Sequence, residues 1–128
     1  MAKKSTQPLG PFQLEWLEAL ESGKFEQGQT CLKKDNKFCC LGVACELSGI
    51  TAIPAAIASS GVVRYKYLGE RHYLPQEIVD RLKFRSNQGC AFGEPHMAIA
   101  ILNDEGKTFK DIAAIIRENP SKYFTASA

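Results

Sequence analysis

Phe12, Trp16, Leu17 and Leu20 recur at helical spacing, with Gln13, Glu15, Glu18 and Glu21 largely opposite. Pro11 suits a first helical position and Gly23 a stop, so the pattern predicts a helix between them. Thr30 to Cys40 instead carries two short β-compatible pieces around Lys34-Asp35-Asn36, a hairpin signal. From Leu41 the small and apolar residues predict a short helix ending near Ser48-Gly49. Ile50 to Gly61, rich in Ala, Ile and Ser with Pro54, reads as a further helical turn within a connection. Val62 to Leu74 is rich in Tyr and Val and predicts a second hairpin about Leu68-Gly69-Glu70.

The second half is more helical. Leu74-Pro75 starts a helix carrying Ile78, Val79 and Leu82, and Arg85 to Glu94, with Asn87, Gly89 and Gly93, predicts an exposed loop. Pro95 opens a fourth helix with Met97, Ile101 and Leu102, which Asn103-Asp104-Glu105-Gly106 ends. Thr108 and Asp111 are spaced as a capping box for a last helix, whose buried stripe is Ile112, Ala113, Ile115 and Ile116 until Asn119-Pro120. These elements predict an α+β fold: a single compact, helix-dominated domain over residues 11–124 with one or two small antiparallel hairpins, after a loose tail at 1–10. Trp16, Leu20, Leu41, Val43, Ile78, Leu102, Ile112 and Ile116 are expected to share its core.

Length and composition agree with one domain. The 128 residues suffice to bury a core, and 45% hydrophobic with 23% charged residues is ordinary for a globular protein. Sixteen basic against fourteen acidic residues leave a net charge of +2, too little for a general nucleic-acid binder. No apolar run approaches a membrane span, and Met1-Ala2-Lys3-Lys4 leads into polar residues, so the expectation is a cytoplasmic protein with no membrane partner. Five cysteines, an odd number, fit a reducing compartment and free thiols.

Three of those cysteines fall within seven residues, Cys39 to Cys45, where a strand gives way to a helix. As metal ligands their spacing is poor. Cys39 and Cys40 are adjacent, Cys31 and Cys90 are isolated, and His72 and His96 could join only through the fold, so no metal or other cofactor is expected. As chemistry, Phe38-Cys39-Cys40-Leu41-Gly42 loosely resembles the strand-to-helix step of papain-like cysteine hydrolases. There Cys40 would be the nucleophile at a helix start, His72 its base, and Gln27 or Gln29 an oxyanion donor. The competing reading is a dense piece of core, with Cys40 buried and inert.

Electrostatics supply the stronger local signal. Val62 to Arg85 holds six cations against three acids, and Tyr65, Tyr67, His72 and Tyr73 are interleaved with Arg64, Lys66 and Arg71. Guanidinium groups beside aromatic faces suit an anionic or nucleotide ligand, so Arg64, Lys66, Tyr67, Arg71, His72 and Tyr73 form the predicted binding patch. Strand alternation puts Arg64 and Lys66 on one face and Tyr65 and Tyr67 on the other. The Arg85 to Glu94 loop is the second choice. Leu102 to Phe124 resembles half of a helix-turn-helix but offers no adequate recognition helix, which argues against sequence-specific DNA binding.

Phe38-Cys39-Cys40-Leu41-Gly42-Val43, together with Trp16 to Phe25, Leu74-Pro75 and Leu102-Asn103-Asp104-Glu105-Gly106-Lys107-Thr108-Phe109 followed by Ile112-Ala113, resembles a family of small bacteriophage and prophage proteins. The resemblance spans Trp16 to Ile116 and implies genomic context, not chemistry, so it transfers no functional residue. The expected function is therefore that of a phage or prophage accessory protein. It would bind a host protein or a small anionic ligand in the host cytoplasm, without catalysis. The alternative is the Cys40 hydrolase.

Overall fold

A computed structural model describes residues 9–29, 31–88 and 98–125. Helix α1 (Pro11–Ser22) starts on Pro11 and ends at Gly23, whose φ of 77° is the left-handed conformation that glycine adopts without strain. Leu9 packs against the core, and the Gly10 N–H donates to Gln13 Oε1 at 2.9 Å. Next come β1 (Glu26–Gln27), β2 (Lys33–Lys34), β3 (Lys37–Phe38) and α2 (Cys40–Leu47). The predicted first hairpin is β2–β3, turning at Asp35-Asn36 with Asp35 at a φ of 52°.

The second hairpin lies elsewhere than predicted. Ile53–Ile57, expected as a helical turn, is strand β4, and it pairs antiparallel with β5 (Val63–Lys66). Pro54 is compatible with this because β4 is the edge of the sheet, where a missing N–H is tolerated. The tight turn at Leu68-Gly69 does form, closed by reciprocal Tyr67 and Glu70 backbone bonds of 2.8 and 2.9 Å. No strand follows it, because the backbone instead leaves toward Leu32, whose N–H donates to the Arg71 carbonyl. The outcome is a mixed five-stranded sheet in the order β1-β3-β2-β5-β4, with β1 and β3 parallel.

Four helices complete the described residues: α3 (Gln76–Leu82), α4 (Ile99–Asp104), α5 (Phe109–Glu118) and α6 (Pro120–Tyr123). Thr108 and Asp111 form the predicted capping box of α5. Pro120, expected only as a stop, also opens α6. All eight predicted core residues are buried in one cluster. At its centre Trp16 meets Phe84 and Phe124 edge-on, and those two rings stack with centroids 5.2 Å apart. Ile101, an apolar residue of the predicted fourth helix, is 38% exposed. Arg117 grips Glu21 with two bonds of 2.6 and 2.9 Å, tying α5 to α1. The architecture is α+β. No helix of the described residues is long and apolar enough to cross a membrane. Gly89, Cys90, Gly93, Pro95, His96 and Met97 lie outside the described residues.

Candidate anion-binding face

Residues directly opposite in neighbouring strands share a face of the sheet, and so do residues two apart in one strand. Lys34 of β2 is paired with Lys37 of β3 on one side and with Arg64 of β5 on the other. Lys66 lies two residues beyond Arg64. One sheet face thus carries four cations. Like charges directly opposite destabilise a sheet, and little offsets them here. Glu26 reaches Lys37 only at 4.0 Å, and both side chains are more than half exposed. Lys34, Arg64 and Lys66 make no ion pair among the described residues. The Asp35 carboxylate accepts the Val63 N–H at 3.0 Å, and so serves the turn.

This row runs into an open cleft of about 360 Å³ bounded by Gln27, Gly28, Gln29, Lys34, Lys37 and Gly106. Gly28 keeps the cleft wall close-packed, since a Cβ there would sit 3.0 Å from the Lys37 Cβ and Lys37 would have to give by a few tenths of an ångström. Its floor is held by Asn103, which is fully buried. The Asn103 Oδ1 accepts from Gln27 Nε2 and from the Cys40 N–H, and its Nδ2 donates to the Gly28 carbonyl at 2.8 Å. Gln27 also donates to the Lys107 carbonyl and accepts the Phe109 N–H. Both ends of that side chain are occupied by the scaffold, which removes Gln27 as an oxyanion donor. Gln29 Nε2 likewise donates to the Asn103 carbonyl.

The predicted patch is divided. Arg64 and Lys66 belong to the cationic face. Tyr67 does not: its ring is fully buried, and its hydroxyl donates to Glu46 Oε2 at 2.9 Å. Burial first, then that bond to a carboxylate, pushes the Tyr67 phenol pKa far upward. Tyr65 lies on the opposite face, where the Lys33 ammonium sits 4.6 Å from its ring centroid and 5.3 Å from that of Phe38. Arg71 is exposed just past the turn. His72 and Tyr73 line a separate small cavity with Cys39, Ala100 and Asp104. Sequence reasoning missed Lys34 and Lys37 as site residues. The two flank the predicted first turn, but only the β2–β5 pairing sets them beside Arg64.

The hydrolase arrangement of Cys40 with His72 is not formed, because the cavity beside His72 is lined by Cys39 and not by Cys40. Cys40 is fully enclosed: its thiol donates to the Ile99 carbonyl, and its carbonyl accepts the Trp16 indole N–H at 2.9 Å. Desolvation, reinforced by Cys39, holds the Cys40 pKa well above the ordinary range. Cys39 is the N-cap of α2, its sulfur accepting the Gly42 N–H at 3.4 Å. Burial still pushes the Cys39 thiol from 9.0 up to about 12, over the lowering effect of the Gly42 and Leu41 amides. Cys45 is raised chiefly by burial too. Among the described residues, no three His, Cys, Asp or Glu side chains are grouped to hold a metal ion.

The family model described as a domain of unknown function, DUF8296, matches residues 12–120. No curated protein and no solved structure matches the chain.

Proposed function

This chain belongs to the DUF8296 family, and for it we propose a binding role: capture of a phosphate-bearing small anion by the cationic sheet face and its adjoining cleft. One observation carries the reading. Lys37, Lys34 and Arg64 stand directly opposite one another in three adjacent strands, an arrangement that costs the sheet stability unless an anion neutralises it. The cleft volume is within the range of small-molecule sites. Its two lysines supply point charges for phosphate oxygens. Aromatic rings for base stacking are missing from the described residues of this face, which favours recognition through phosphate over recognition through a base.

The resemblance of Phe38 to Val43 and Leu102 to Ala113 to phage and prophage proteins supports an accessory role in a host cytoplasm. A second reading, an acidic surface of a host protein, is favoured by Arg64 and Lys66, which extend the charge beyond the cleft. Titration calorimetry with inorganic triphosphate distinguishes the two. Under the leading reading the wild type binds, affinity falls with added salt, and Lys34→Glu with Lys37→Glu abolishes binding while Arg71→Glu leaves it unchanged. Triphosphate binding that survives the Lys34 and Lys37 reversals would overturn the cleft assignment. Loss of a captured acidic host protein in Arg64→Glu with Lys66→Glu, without triphosphate binding, would establish the second reading.

A further inference from the structure

Away from the cationic face, a partly open cavity of about 90 Å³ gathers Cys39, His72, Tyr73, Ala100 and Asp104. Three separate parts of the fold supply it: the N-cap of α2, the segment after the Leu68-Gly69 turn, and helix α4 from Ala100 to Asp104. We infer that this cavity is an acyl-transfer site, in which the Cys39 thiol takes a small acyl group from an activated ester or thioester with His72 as general base. The residue types fit that chemistry as a set. A nucleophile, a base, a carboxylate and a phenol line one space, and the remaining wall is an alanine, which leaves room for a group the size of acetyl. A metal would need its donors converged on one point, and these are not so grouped. Acyl transfer asks instead for a nucleophile and a base that line the same space.

The resting sulfur is a protonated thiol, since burial pushes its pKa to about 12, so reaction at neutral pH requires a base at hand. As the sulfur–carbon bond forms, a His72 ring nitrogen accepts the thiol proton, and the Gly42 N–H on the sulfur favours the developing thiolate. Tyr73 supplies a hydroxyl donor for the carbonyl oxygen, and Asp104 is the positioning residue that steadies the imidazolium. Collapse of the tetrahedral adduct breaks the bond to the leaving alcohol or thiol, which departs with the proton from His72. Water then attacks the S-acyl group, giving its proton to His72. The sulfur–carbon bond breaks, the acid is released and the proton returns to sulfur. No oxidant or reductant enters the cycle.

The test uses p-nitrophenyl acetate with the full chain, reading nitrophenol release and mapping acetylated peptides by mass spectrometry. Acetylation is expected at Cys39 and is retained in Cys40→Ala. It disappears in Cys39→Ser, whose hydroxyl preserves the cap on Gly42 and hence the fold, as an unchanged melting curve would verify. His72→Gln, at an exposed position, should slow acetylation roughly a hundredfold. Asp104→Asn should slow it as well, and Asp104→Glu should restore much of the loss. Acetylation at another side chain, neither acetylation nor Cys39-dependent nitrophenol release, or an equal rate in wild type and His72→Gln would overturn the proposal.

Discussion

Gly42 shows how much one side chain, or its absence, decides. A Cβ built there would lie 1.8 Å from the Leu32 carbonyl oxygen, a backbone atom with no rotamer to escape into. The close approach lets Cys39 cap α2 while its own N–H donates to that same carbonyl. Gly42→Ala should therefore cost more than about 3 kcal/mol in urea unfolding, at or beyond the upper end of ordinary overpacking. A loss below about 1 kcal/mol would mean that Leu32 can move aside. The cysteine run is conspicuous in the chain for its thiols, and a glycine in helical sequence context reads as a mild defect. Its requirement came from a loop on the far side of the β2–β3 hairpin.

The sheet, at the next scale, trades stability for charge. Lys34→Glu converts two opposed like-charge pairs into attractive ones, so folding stability should rise by about 0.2–1 kcal/mol per pair, while triphosphate affinity falls. Thermal melts with and without triphosphate would measure both, and a variant less stable than wild type would contradict the electrostatic account. Helix α5 behaves as a conventional amphipathic element. Ile112 is fully buried, and Ile112→Ala should destabilise by about 2–5 kcal/mol in chemical denaturation. A near-zero effect would make α5 peripheral, against the packing of Ile112, Ala113 and Ile116 in the core cluster.

Four free cysteines lie buried among the described residues, and three of them titrate above their ordinary value. A raised folded pKa means that the native state holds its proton after the unfolded chain has released it. The associated stability is complete below pH 9.0 and is lost as pH climbs through about 12, the value for Cys39. Each thiol then contributes a slope of about −1.4 kcal/mol per pH unit. With Tyr67 raised in the same sense, the whole domain should unfold cooperatively in alkali. Circular dichroism against pH from 8 upward would check it; flat stability to about pH 12 would show that the thiols ionise without leaving the core.

Periodicity and capping chemistry reached far into this molecule because they act within a few residues. The α1 stripe, the Asp35-Asn36 turn, the Thr108–Asp111 box and the eight core positions were all legible in the chain for that reason. So was the shared face of Arg64 and Lys66, which strand alternation alone sets. The sequence could not say that Ile53–Ile57 would be the edge partner of β5, because pairing is decided by which strands the hydrophobic core brings together, and a Pro-containing Ala-rich segment has no strong local preference. Nor could it send Tyr67 inward to Glu46, or choose Cys39 over Cys40 as the neighbour of His72. Those depend on contacts across tens of residues. The cationic face has the same origin: Lys34 and Arg64 are thirty residues apart in the chain, and only the antiparallel register of β2 with β5 makes them one site.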